Sequence, residues 1–298
     1  MSMKLNDRAL LVQLSISQWT ARKYDRRVTE AVASSHGASL EVGRFNKSLL
    51  AANDYLAAVH SLAGAIRTDF YTNTLAWGIE GTRLLPTANY LAFMTKFRTY
   101  KTDWNTAVRT FMLAYPSLKH EARMFLPNGL YNEDDYPTHA KLEAKFRMDM
   151  AVFPIPADDF RVNLSNEELS SIQSDVTRRV REAQSQAMRE VWQRLYDKVK
   201  HMSDKLTDMR KNDDLPEGSK AKTRFHESTI ENIRDLCAIL PRLNFTDDPD
   251  LEAMRQRVEE SLASVEVEAI KTDRGFREHT ATEAQNILSA MSVFMGEQ

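Results

Sequence analysis

The chain has 298 residues, of which 42% are hydrophobic and 28% charged, with a formal net charge of −2. These fractions exclude a disordered, collagen-like or membrane-embedded polypeptide, and a chain of this length folds with roughly 75% of its unfolded surface buried. Glycine is scarce, 9 residues in all, or about 3% against a usual share of about 7%, which favours helix.

Residues 10–17 alternate, with Val12, Leu14 and Ile16 on one side and Gln13, Ser15 and Ser17 on the other, the period of a half-buried strand. Helices are expected over 20–35, 46–70, 87–114, 117–125 and 137–152. Turn and stop signals separate them: His36-Gly37, Gly78, Gly81, Pro86, Pro116 and Pro127-Asn128-Gly129. A second alternation, Phe160, Val162 and Leu164 against Arg161 and Asn163, follows the turn Phe153-Pro154-Ile155-Pro156. The expectation is a two-stranded ribbon joining 10–17 to 160–164. A lone ribbon is marginal in water and must pack on helices.

A capping box, Ser165-Asn166-Glu167-Glu168, opens a long helix over 165–211, because the serine and glutamate side chains satisfy free backbone amides. Its apolar positions run Leu169, Ile172, Val176, Val180, Ala183, Ala187, Val191, Leu195, Val199, Met202, Leu206 and Met209. Eleven steps over 40 residues average about 3.64, near the straight-helix period and above the 3.5 of a left-handed coiled coil. At about 1.5 Å per residue the rod is roughly 70 Å long. A polar turn, Asn212 through Ser219, leads to a return helix over 222–240 that Pro241 should stop. Another starts at Asp248, with Pro249 in its favoured first turn. A last amphipathic piece carries Ile287, Leu288, Met291 and Phe294. The fold class that follows is mainly α: a helical head over 1–164 with a minor two-stranded β ribbon, and a long antiparallel helical arm over 165–298.

No constellation identifies a reaction. His226-Glu227 with Glu231 lacks the second histidine of an HExxH site, since Ile230 stands in its place, so no metal site is expected. Asn132-Glu133-Asp134-Asp135 lacks the ligand order of a calcium loop. Gly78-Ile79-Glu80-Gly81-Thr82-Arg83 has no phosphate-loop lysine, and no GxSxG elbow occurs. No cofactor is expected. The lone cysteine, Cys237, sits beside Leu236 and Ile239 in an apolar pattern and reads as a core thiol. The charged start shows no export signal, and the longest apolar run falls short of the ~20 residues of a membrane span. The cytoplasm of a bacterial host, without a membrane partner, is the expected setting.

Charge is unevenly spread. Residues 1–110 hold 14 Lys/Arg and 8 Asp/Glu, for +6, and the remainder −8. Two readings follow. In one, the long helix captures a protein partner or a second copy of the chain, with Arg178, Arg179, Arg181, Val191 and Leu195 as contacts. In the other, basic N-terminal helices bind nucleic acid through Arg22, Lys23, Arg26, Arg27, Arg44, Lys47, Lys96, Arg98 and Lys101, cations that would neutralise phosphates. Amphipathic helices also carry such charges as a solvated face.

Four stretches, LVQLSISQWTARKYDRRVTEAV, GRFNKSLL, NTLAWGIEGTRLLP and FPIPADDFRVNL, resemble a domain-of-unknown-function family of bacteriophages and prophages. The resemblance covers about residues 10–165. It transfers no catalytic residue. It implies a phage origin and the neighbourhood of MoxR-type AAA ATPases, hence an ATPase or a host factor as partner.

Overall fold

A computed structural model of the chain describes residues 5–127, 129–156, 166–213 and 224–295. It is mainly α, with ten α-helices and two small sheets among the described residues. None of these helices is long and apolar enough to cross a membrane. The elements are, in order, α1 (Leu5–Arg8), β1 (Ala9–Ser17), β2 (Arg22–Tyr24), α2 (Arg26–Ser35), β3 (Asn46–Ser48), α3 (Asp54–Asn73), β4 (Leu75–Ala76), β5 (Arg83–Pro86) and α4 (Thr87–Phe125). A 3₁₀ turn at Glu133–Asp135 leads to α5 (His139–Glu143), β6 (Arg147–Phe153), α6 (Asn166–Asp213), α7 (Glu227–Leu243) and α8 (Pro249–Val258). Beyond α8, a π-helical turn at Glu259–Ala263 precedes α9 (Val267–Thr272) and α10 (Arg274–Met295).

The chain forms two compact units, and neither is continuous in sequence. The first comprises 1–13, 71–92 and 152–298; the second comprises 14–70 and 93–151. This division replaces the expected cut between 164 and 165. Residues near the N-terminus and around 75–86 belong with α6 because Ala9, Leu11, Leu75, Trp77 and Leu84 join its core.

The expected strand at 10–17 is β1. Rather than one strand of a two-stranded ribbon, β1 is part of a four-stranded sheet of order β4-β5-β1-β6. Its first half pairs antiparallel with β5, Ala9 opposite Pro86 and Leu11 opposite Leu84. Segment 160–164 and the Ser165 cap lie outside the described residues. The helix expected over 137–152 is the five-residue α5 followed by β6, and that expected over 20–35 begins only at Arg26. There Asp25 caps α2 by accepting from the Val28 amide at 3.1 Å. Residues 22–24 extend instead and pair with β3, Lys23 opposite Lys47.

Two of the prolines taken as stops lie inside helices. Pro116 sits in α4 and Pro241 in α7. Each removes an intrahelical hydrogen bond at a cost of about 3 kcal/mol. Burial on either side offsets it: Tyr115 and Leu118 flank Pro116, Leu240 and Leu243 flank Pro241, and all four are buried. Tertiary packing thus overrides a local breaker.

The first unit is organised by α6. Ala183, Ala187, Val191, Leu195, Val199, Met202 and Leu206 form its buried stripe, at the helical spacings read from the sequence. Helices α7, α8 and α10 pack on it. Glu190 fixes the β4 side: it accepts from the Ala76 amide and from Arg83 at 2.9 Å and Arg194 at 2.7 Å. Arg194 in turn donates to the Tyr71, Thr72 and Thr74 carbonyls at 2.7, 2.9 and 2.6 Å, which closes the open end of α3.

Candidate polyanion-binding site

The second unit has an aromatic core of Trp19, Phe97, Trp104, Phe111, Tyr115, Tyr136 and Phe146. Trp19 meets Tyr115 edge-on at 5.8 Å and Phe111 at 6.2 Å, so it supplies packing, not an exposed stacking face. Two core tyrosines tether the loop before α5. Tyr136 donates to the Leu49 carbonyl at 2.6 Å, and Tyr115 to the Pro137 carbonyl at 3.0 Å. Burial raises both phenols, that of Tyr115 to about 12, so they remain donors at neutral pH.

Beside this loop opens a cleft of about 1100 Å³. Arg22 and Lys23 reach it from β2, Lys119 from α4, Lys141 from α5 and Lys145 from just beyond α5, with Glu133, Asp134 and Asp135 on the intervening turn. The Ser17 hydroxyl at the end of β1 donates to the Lys145 carbonyl at 3.0 Å and fixes that part of the wall.

Two of the three acids are already engaged. Glu133 pairs with Lys119 and, at 3.3 Å, with Arg123, and accepts from Tyr131 at 2.5 Å. Lys119 above all, then the Tyr131 hydroxyl, lowers its carboxyl to about 2. Asp135 lies 2.9 Å from the Lys47 ammonium and 3.9 Å from Lys23. Arg22, Lys141 and Lys145 have no acidic partner among the described residues, against Asp134 alone on the other side. The cleft therefore retains net positive charge.

Lys47 is the structural ion of this unit. Its side chain is 7% exposed, 3.2 Å from Asp25 and 2.9 Å from Asp135, and donates to the Leu130 carbonyl at 2.7 Å. Burial pulls its pKa down, but the hydrogen bonds it donates to Asp135 and Asp25 outweigh that and leave it raised. The Val28 amide, then Lys47, overcome burial and lower Asp25. An ammonium so enclosed is not free to meet a phosphate, which removes Lys47 from the expected contacts.

The other expected residues are dispersed. Arg26 donates to Glu30 at 2.7 Å, Arg27 to the Gly129 carbonyl at 2.9 Å, and Lys96 to Asp69 at 2.5 Å. Arg44 lies 6.0 Å from the Tyr24 ring centre, Lys101 is 3.7 Å from Asp149, and Arg98 is exposed on α4. Arg22, Lys23, Arg26 and Arg27 do not share the helix expected over 20–35, because the first two are strand residues of β2. On α6, Arg178 pairs with Asp175 and Glu182, Arg179 donates to Asp175 at 2.7 Å, and Arg181 is exposed. Val191 and Leu195 are fully buried in their own unit and so present no surface to a partner. Cys237 is likewise in the core, its thiol pushed up to about 11 by burial, then by Glu259.

Sequence reading found Arg22 and Lys23 but missed Lys119, Lys141 and Lys145. Lys141 and Lys145 carry a signal, a basic pair at helical spacing, yet only the folded loop brings them to β2. Among the described residues no three His, Cys, Asp or Glu side chains group to hold a metal ion. The chain matches no family model, no curated protein and no solved structure.

Proposed function

We propose that this protein works by binding, and that the second unit takes a polyanion, nucleic acid foremost, in the cleft between β2 and α5. The carrying observation is the convergence of Arg22, Lys141 and Lys145, which have no acidic partner among the described residues, while neighbouring Glu133 and Asp135 are neutralised by other cations. The unit as a whole holds 16 Lys/Arg against 12 Asp/Glu, a net +4. Fluorescence anisotropy with labelled oligonucleotides at several salt concentrations tests this. Binding should weaken with salt, and the triple Ala variant at Arg22, Lys141 and Lys145 should flatten the log–log slope by about 2 for single strands. Absence of salt-sensitive binding at micromolar protein removes the proposal.

A second reading, capture of a protein or of another copy, is supported by Val32, Leu40 and Val42, exposed by 50, 48 and 77% on α2 and the loop after it. Mass photometry of the wild type and of a Val42→Asp variant tests it. The wild type should form oligomers that the variant loses, and a strict monomer at all concentrations rejects self-association. The setting proposed with either reading is a phage protein acting beside an AAA ATPase or on a host factor.

A further inference from the structure

Strand β2 turns its side chains alternately to two faces. Lys23 shares one face with Lys47, directly opposite on β3, and Asp25, the next residue on that side, lies 3.2 Å from the Lys47 ammonium. The other face is built differently. Arg22 and Tyr24 lie on it, with Ser48 opposite the first and Asn46 opposite the second, and all four are exposed. Arg44, two residues before Asn46 and also exposed, brings its guanidinium 6.0 Å from the centre of the Tyr24 ring.

This face therefore carries an aromatic ring between two guanidiniums, neither of which has an acidic partner among the described residues. Arg22 and Tyr24 are about 6.6 Å apart along the strand, the reach of one extended nucleotide. Tyr24 is 44% exposed. A ring has two faces and Arg44 covers one at most, so a second flat group can lie on the other. Tyr71 differs: it is 52% exposed with Arg83 4.9 Å from its ring centre, but Arg83 also donates to Glu190 at 2.9 Å and to the Thr74 carbonyl at 3.0 Å. There the cation serves the fold, whereas at Tyr24 it is available to a ligand. Backbone hydrogen bonds hold the ribbon at both ends. The Leu49 amide donates to the Ala21 carbonyl at 2.7 Å, and the Asp25 amide to the Phe45 carbonyl at 2.9 Å.

We propose that this face is a stacking platform for single-stranded nucleic acid: one base lies on the Tyr24 ring, and Arg44 and Arg22 meet the phosphates on either side of it. This rests on the polyanion reading and adds the ligand's class. Arg22 also lines the cationic cleft and so passes the strand on towards Lys141 and Lys145. Stacking asks only for a free π-face, which every unstacked base offers, so preference among bases is weak. In a duplex the neighbouring pairs cover both faces of each base, and the duplex meets the arginines without the ring.

The test uses the full-length chain and fluorescence anisotropy with labelled oligo-dU, oligo-rU and a DNA duplex, with inorganic polyphosphate as a competitor without bases. Both single strands should bind more tightly than the duplex, and the dU and rU arms report which sugar is preferred. Tyr24→Ala should weaken the single strands by about fivefold to a hundredfold, the worth of one stacked base, and leave polyphosphate binding unchanged. Tyr24→Phe keeps the ring and should bind as the wild type does. Arg44→Ala should flatten the log–log salt slope for single strands by about 0.7, the share of one phosphate contact. Tyr24→Trp reads the contact directly, because Trp19, Trp77, Trp104 and Trp192 are all buried. Emission of the introduced indole should be quenched by either single strand and unchanged by polyphosphate. Melting curves that overlay the wild type are the folding control. Single strands that bind Tyr24→Ala as tightly as the wild type overturn the platform and leave the polyanion reading standing. So does a duplex bound more tightly than single strands, or an indole that no strand quenches. No binding of any probe, polyphosphate included, overturns both.

Discussion

The two units use opposite means to fold. The first is acidic, with 24 Lys/Arg against 30 Asp/Glu, and its core is mostly aliphatic, lined up along α6 by a helical repeat. The second is basic, and its core is richer in aromatic rings, assembled from short strands, loops and helices α3, α4 and α5, with a buried lysine held by two aspartates. Regular stripes of Val, Leu and Ala let helices close on one another along their length. Bulky rings tethered through hydroxyls to loop carbonyls hold less regular chain, and here the large clefts lie beside them. The unit with the less regular architecture is the one that carries the proposed binding cleft.

Removing a key group from each unit tests that contrast. Lys47→Ala should have the largest effect, a loss of about 3–5 kcal/mol, because it leaves Asp25 and Asp135 buried without their cation; urea unfolding followed by tryptophan fluorescence measures it. If the loss is below about 1 kcal/mol, the second unit does not depend on its ion triad. Leu195→Ala, fully buried in the aliphatic stripe, should cost about 2–5 kcal/mol. Cys237 gives a local readout of that unit, since its buried thiol should react with a thiol reagent slowly in the wild type and faster in the variant. Equal rates would place Cys237 outside the region that Leu195 holds.

The next effect is that of Glu190→Gln, which weakens charge-assisted hydrogen bonds from Arg83 and Arg194, a loss of about 1–3 kcal/mol. The same group gives a pH limb. Burial raises the Glu190 pKa, but the Arg194 charge, the Ala76 amide and Arg83 outweigh it and leave the group below its ordinary 4.5. Its contribution is therefore present above pH 4.5 and lost as pH falls through the lowered value. In the second unit Asp25 behaves alike below its ordinary 3.8. Lys47, being raised, contributes fully below its ordinary 10.5 and loses its contribution as pH rises through the higher folded value. Thermal melts from pH 2 to 12 should therefore show an acid limb that Glu190→Gln reduces and an alkaline limb that Lys47→Ala removes. The smallest effect is expected for Arg178→Ala, whose exposed ion pairs on α6 should leave the unfolding midpoint unchanged; a clear drop would show that this surface network bears load.

The long helix, the β1 strand, the Asp248 cap and the burial of Cys237 were legible in the sequence because each depends on neighbours within a few residues: a period of 3.6, a period of 2, a cap with its proline, an apolar flank. The helix ends at Pro116 and Pro241 were misread because buried leucines and a tyrosine outweigh a local breaker. Residues 22–24 look like the start of a basic helix, yet they form a strand because β3, more than twenty residues on, offers them hydrogen bonds. The site shows the same limit. Lysines are visible as lysines, but whether one is a contact or a buried counter-ion depends on which carboxylates the fold brings near. Lys47 and Lys23 face each other across one strand pair; the first is enclosed by Asp25 and Asp135, the second remains exposed on the cleft. Local periodicity, set by backbone geometry, thus determined the elements of this protein. Long-range packing, which brings Lys141 and Lys145 to the same cleft as Arg22, decided where the proposed site lies.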